Sequence, residues 1–422
     1  MTLKSISLTC LLAAFVIFSG FSQDVSYARR LVDTLAAPGL HGRGYVSSGD
    51  QLAAQLIAET FQKQGLRYFG DSWFQDYSFP INTFPGTVRL VVKDDTLIPG
   101  RDFLVSSGCR SIAGTFPLLW MKDTTLTVSA LRKKIKGMKL SNTFLVLERL
   151  PALMHSTDLK GVKGVILLRE GRMVWSVSNA RKLRKMAALE VQRDKLPAGT
   201  DSIKLSIDQE YVKKHRTRNV IAYIEGRSRK DSFLVVTAHY DHLGRMGSKT
   251  YFPGANDNAS GTAMMLDLAR HYALPENRPE YSMVFMAFSG EEAGLLGSRH
   301  YVKHPLFPLK QIRFLVNLDM VGTGGDGIGL VNGSLYGSET AMLKSINEAN
   351  NYLKEIKVRG PSAHSDHHPF YEKGVPSVFI YTMGDNYKDY HNPDDQAGRL
   401  PYTGYDALFR LLTGFFGRLQ SP

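Results

Sequence analysis

Two imidazoles and a group of carboxylates sit where a divalent cation could be held. His239 opens His239-Tyr240-Asp241, Glu291 and Glu292 are adjacent, Asp319 lies between Leu318 and Met320, and His391 follows Tyr390. Asp257 stands in Gly254-Ala255-Asn256-Asp257-Asn258. Imidazole and carboxylate without thiolate suit zinc or a similar ion. A carboxylate can bridge two cations with its two oxygens, and paired cations clamp and ionise a water. A nearby carboxylate that is not a ligand can take the proton. Glu291 and Glu292 can supply one group of each kind, because neighbouring side chains point apart. Asp241, two residues from His239, can hold the other ring nitrogen and fix the tautomer.

Each piece alone is weak. An HxD triplet occurs by chance, a Glu pair is usually solvated, and Asp257 between two Asn reads first as a helix N-cap. Their joint placement decides. Apolar strand-like runs at Phe233–Ala238, Ser282–Phe288, Ile312–Leu318 and Ser377–Tyr381 each precede one of these groups. Open α/β sheets build their sites at the carboxyl ends of strands. Strand runs alternating with helical ones, such as Ser260–Tyr272, predict an α/β fold. The expected architecture is a mixed, largely parallel central sheet flanked by helices, with a smaller inserted domain. Gly49 to Leu66 predicts an amphipathic helix and Trp73 to Phe84 a strand. From about residue 96 to 214 the text is basic and irregular. Strands are expected at Thr143–Leu147 and Gly164–Leu168, and a basic helix at Ala180–Leu189.

These motifs resemble the co-catalytic di-zinc aminopeptidases, the secreted leucyl and aminopeptidase-S type metallopeptidases. The resemblance is carried by His239-Tyr240-Asp241-His242-Leu243-Gly244, the Gly254–Gly261 segment, Gly290–Ser298, Asn317-Leu318-Asp319-Met320 and Tyr390-His391. His41-Gly42-Arg43-Gly44 and the helix after it join the match. The resemblance implies two Zn2+ per chain: one held by His239, Asp257 and Asp319, the other by Asp257, Glu292 and His391. It implies that Glu291 takes the proton of the bridging water and passes it to the leaving amine. Tyr390 matches a position that donates to the oxyanion in some members. Ser365-Asp366-His367 matches a family motif, which places Asp366 beside the site without making it a ligand. The implied function is an aminopeptidase acting on the N-terminal residues of peptides. Alternatives are a glutaminyl cyclase-type aminoacyltransferase with a single zinc, a carboxypeptidase on the same scaffold, and a non-catalytic binding protein. The last usually lacks ligands, and none is missing here.

Residues 1–22 read as a signal peptide: Lys4, an apolar run from Ile6 to Phe18 too short to span a bilayer, and small residues at Gly20 and Ser22. An exported protein, periplasmic or extracellular, is therefore expected. Residues 23–95 plus 215–422 are expected to form the catalytic domain. Residues 96–214 form the insert, which resembles a protease-associated domain by position. Cleavage leaves Cys109 as the one cysteine, which excludes an internal disulfide. The +13 net charge, 52 Lys+Arg against 39 Asp+Glu in 422 residues, is unevenly spread. Residues 101–230 hold 27 basic and 11 acidic side chains, or +16, and the rest carries −3. No nucleic-acid motif accompanies the charge, so a nucleic-acid partner is not expected. A solvated basic face on the insert is the plain reading, and docking of that face on an acidic surface the sharper one. Gly322–Gly327 fits GxGxxG formally, but a strand-like run follows it instead of a helix, so no dinucleotide site is expected.

Overall fold

The computed structural model describes residues 25–121, 127–148, 159–179 and 183–420. The expected leader therefore lies outside the described residues. Among them, no helix is long and apolar enough to cross a membrane.

The described residues fold as a mixed α/β protein built on two eight-stranded sheets, with a small two-stranded one besides. In the first, the strands run in the order Phe74–Thr83, Glu210–Ile224, Tyr281–Phe288, Arg229–His239, Ile312–Leu318, Ser377–Met383, Gly327–Val331 and Ile356–Val358. The four from Tyr281–Phe288 to Ser377–Met383 are mutually parallel, so their carboxyl ends share one edge. Their sequences are nearly continuous apolar runs because both faces are covered. Alternation sorts the side chains by face. Leu234, Val236 and Ala238 join the core beneath the helices Val25–Leu35, Gly49–Lys63, Gly261–Ala273, Gly337–Asn350 and Tyr405–Leu419. Phe233 and Val235 point the other way, toward Tyr301 and Val302 of the Leu296–Lys303 helix and Phe370 of His367–Tyr371. In Tyr405–Leu419, Leu408, Leu411, Leu412, Phe415, Phe416 and Leu419 recur at helical spacing and are all buried.

The second sheet is built from Asp95–Leu97, Val88–Val92, Ser202–Ile207, Ile112–Met121, Leu140–Leu147, Val162–Arg169, Ala187–Gln192 and Phe103–Val105. It thus begins at Val88, eight residues ahead of position 96, and Glu210–Ile224 already pairs in the first sheet. The expected Ala180–Leu189 helix is corrected. Residues 180–182 lie outside the described ones, and Ala187–Gln192 is a strand with alternating burial. Its period is two, not 3.6. Five basic side chains of this body, Arg132, Lys133, Lys134, Lys136 and Lys139, are exposed. The two bodies share a core. Leu243, Met246 and Phe252 of the first pack with Trp175, Val105 and Phe103 of the second.

The N-terminal His41–Gly44 segment docks on the strand end at His239. The Gly244 N–H donates to the Gly42 carbonyl, and the His242 N–H to that of Arg43, both at 3.2 Å. Gly44 backs directly onto Gly244: a Cβ there would lie 2.2 Å from the Gly244 Cα, so no larger residue fits. Beside this contact the Arg43 side chain is fully buried.

Candidate metal centre

Every residue expected at the site converges on the shared strand edge. His239 ends its strand, Glu291 and Glu292 follow Tyr281–Phe288, Asp319 follows Ile312–Leu318, and His391 lies in the loop after Ser377–Met383. Asp257 comes from the turn just before the Gly261–Ala273 helix. Two ligand sets form, each with ligand atoms within 4.8 Å of one another: His239, Asp257 and Asp319, and His242, Asp257, Glu292 and His391. Asp257 belongs to both. Its Oδ1 lies 3.4 Å from His239 Nε2 and its Oδ2 3.0 Å from His391 Nε2. One carboxylate thus presents each oxygen to a different half of the site. Asp319 Oδ1 is 3.3 Å from His239 Nε2, and Glu292 Oε2 is 3.2 Å from His391 Nε2.

Both imidazoles are held so that Nε2 faces inward. His391 Nδ1 donates to the Trp175 carbonyl at 2.8 Å. His239 Nδ1 donates to the Asp241 main-chain carbonyl at 3.1 Å, while the Asp241 carboxylate stands 3.8 Å away. A carbonyl only accepts, so each ring carries a proton on Nδ1, and it is Nε2 that gives up its proton to a cation. The Asp241 carboxylate, expected to do this work, sits on the Glu291–Glu292 turn instead. It accepts the Glu291 and Glu292 N–H groups at 3.2 and 3.3 Å and the Tyr45 hydroxyl. Burial pushes its pKa up to about 6.

His242 received no role from the sequence, although it stands inside the quoted motif. It is buried, and its Nδ1 donates to Glu292 Oε1 at 2.7 Å, which leaves Oε2 to face His391. His242 Nε2 is buried without a hydrogen-bond partner. Asp319 is oriented by the Ser365 hydroxyl, which donates to Oδ2 at 2.7 Å. Asp366 lies outside both ligand sets: it accepts from the Ser298 hydroxyl, and burial raises its pKa to about 7. Tyr390 stacks on the His391 ring at 3.9 Å between centroids and stays 41% exposed.

The electrostatics describe a sink for cations. Burial opposes charge on His391, yet Glu292 and Asp257 outweigh it and raise its pKa to about 11. His239 is raised likewise: burial opposes, and Asp319, Glu291 and Asp257 prevail. Burial would push Asp257 up, but hydrogen bonds from both imidazoles hold it well below the carboxylate range. The same contest brings Glu292 down to about 2, with His391 the main opponent of burial. Glu291 has no such hydrogen bond. Burial raises its pKa well above the usual value, and Glu292, Asp366 and Asp319 add to the shift against His239. The donors fit a pair of divalent cations: an acid that faces two ways, Nε2 atoms fixed inward, and acids that draw positive charge onto both rings.

Behind the site, Arg43 fixes the Asp257 turn. Its guanidinium donates to five main-chain carbonyls: Tyr240, Leu35, Pro253, Gly254 and Asp257. Asp395 holds the same turn from the other side, accepting the Asn256 and Asp257 N–H groups at 2.8 and 3.1 Å. Burial lowers the Arg43 pKa to about 10, with Asp395 the main opponent, so the group stays charged at neutral pH. Arg43→Met removes that charge and strands the carbonyls. The expected cost is about 3–5 kcal/mol of stability. Urea unfolding measures it, and a loss under about 1 kcal/mol would deny Arg43 this role.

The chain is similar to known proteins in sequence and in fold. Residues 219–415 match peptidase family M28. Aminopeptidase YwaD of Bacillus subtilis is 37% identical over 191 residues, covering 42% of this chain and 39% of that protein. A probable leucine aminopeptidase of Trichophyton verrucosum is 29% identical over 241 residues, covering 54% of this chain and 62% of its own length. The matched stretches thus span less than two thirds of either relative. In fold, the chain is similar to BSAP, a zinc aminopeptidase from Bacillus subtilis, with a TM-score of 0.70 at 21% identity over 93% of this chain and 94% of that one. A peptidase M28 precursor from Shewanella amazonensis SB2B gives a TM-score of 0.67 at 17% identity, over 95% and 94%.

Proposed function

We propose that this chain, which carries a peptidase family M28 domain over residues 219–415, is an exported zinc-dependent aminopeptidase. The observation that carries the reading is Asp257, whose two oxygens face two separate ligand sets. His239, Asp257 and Asp319 would hold one cation, and Asp257, Glu292 and His391 the other. His242 orients Glu292 through its Oε1. When bound, the cations supply Lewis acidity and lower the pKa of water. The chain's own residues do the rest. Glu291 takes a proton from the attacking water and returns it to the leaving amine. Burial keeps Glu291 out of bulk water while it accepts a proton and then releases it. The Tyr390 hydroxyl donates to the oxygen of the attacked carbonyl. Asp241 holds the Glu291 N–H and so fixes the base. The proposed substrates are peptides with a free N-terminus.

The test joins metal content with activity. The purified chain is expected to hold two zinc ions, to lose hydrolysis of aminoacyl amides in chelator, and to regain it on zinc addition. Because both imidazoles give up protons to bind metal, zinc affinity should fall on acidification. One zinc per chain with cyclisation of N-terminal glutamine, or cleavage only at carboxyl termini, would sink the aminopeptidase reading.

A further inference from the structure

The loop that carries His391 is clamped from the second sheet's body. Arg101, between Asp95–Leu97 and Phe103–Val105, pairs with Asp394 at 2.9 Å. Arg172, just after Val162–Arg169, lies 3.8 Å from Asp389. Between these pairs Trp175 bonds His391 twice: the Trp175 N–H donates to the His391 carbonyl at 3.0 Å, and the Trp175 carbonyl accepts from His391 Nδ1 at 2.8 Å.

Trp175 is itself well fixed. Its indole N–H donates to the Val105 carbonyl at 2.7 Å, and its ring stacks on Phe252 at 4.9 Å and 27°. Phe252 belongs to the first body, so the indole fills the seam between the two. The remaining ligands are supported within the first body. His239 rests on the Asp241 carbonyl, Asp319 on Ser365 and Glu292 on His242. The support of the centre is therefore uneven: one half leans on the second body, and the other does not.

We propose that Trp175 is a positioning residue, through which the second sheet's body sets cation affinity in the half of the centre that contains His391. Its carbonyl fixes the Nδ1–H tautomer of His391 and aims Nε2 at Asp257 and Glu292. The half containing His239 and Asp319 meets this contact only through the shared Asp257. The inference rests on the two-cation reading above.

The experiment is a zinc titration of the stripped full-length chain by calorimetry, with cobalt absorption as a second readout. The wild-type chain comes first: uptake of fewer than two cations would overturn the underlying metal reading before any variant is made. Trp175→Ala is expected to weaken one site by about 10–100-fold and to change the other by less than about two-fold. Arg101→Ala/Arg172→Ala removes two exposed side chains and cannot collapse the core. It should weaken the same site by about two- to five-fold. Trp175→Phe keeps a ring in the seam but loses the Val105 bond, and carries the test if Trp175→Ala does not fold. Unchanged affinities at both sites in the folded variants would overturn the inference. So would an equal loss at both.

Discussion

Asp257→Ala should lose both cations and hydrolysis together. The side chain is the one group shared by the two ligand sets, with Oδ1 toward His239 and Oδ2 toward His391. Its removal leaves each set one acid short and takes away the charge that draws the two halves together. Without metal, several kcal/mol of transition-state stabilisation vanish, so turnover should fall by at least about 10³-fold. The fold should survive. The turn is held through main-chain groups of Asp257 and Asn256, by Arg43 and Asp395, and those bonds do not involve the deleted side chain. Metal content on a folded variant, checked by circular dichroism, is the deciding measurement. One tightly held zinc with substantial turnover would mean that Asp257 is not the bridge.

Glu291→Gln separates metal binding from chemistry. Glutamine keeps the shape of the side chain and loses the ability to accept a proton. Glu291 is in neither ligand set, so both zinc ions should stay. Turnover should fall by about 10²–10⁴-fold, the usual range for a positioned base. A pH profile gives a second readout. The base must be deprotonated, so kcat/KM rises as pH passes upward through its pKa. Burial, Glu292, Asp366 and Asp319 place that pKa above the ordinary 4.5. Cations on Glu292 and Asp319 would offset two of these causes, and their own charge would lower the pKa further. The acid limb that belongs to this base should be present in the wild type and vanish in the variant. Near-wild-type hydrolysis of aminoacyl amides by Glu291→Gln would fault the base assignment.

Much of the site was legible because its residues end strands whose apolar runs are hard to mistake. Phe233–Ala238 and Ser282–Phe288 are buried on both faces, so hydrophobicity alone marks them, and a polar residue directly after each is conspicuous. Supporting contacts were less legible. His242 gained its role from a 2.7 Å contact with Glu292 across 50 positions, which no spacing rule encodes. The Asp241 carbonyl does the work expected of its carboxylate, because backbone geometry decides which oxygen meets His239. In the second body, basic residues around position 184 suggested a helix face, whereas Ala187, Leu189 and Val191 alternate inward along a strand. Trp175 was invisible for a different reason: it acts on His391 through its main chain, and main-chain atoms have no letter.

The buried Arg43 has a consequence for how the chain folds. It joins carbonyls 197 to 214 positions downstream, and Trp175 meets His391 across 216. Such non-local pairings form slowly, because large loops must close before any contact rewards them. An elongating chain cannot complete this centre until His391 and Asp395 are available to it, almost at the C-terminal helix. The ligand sets can therefore be complete only when segments from Arg43 to Asp395 are all in place.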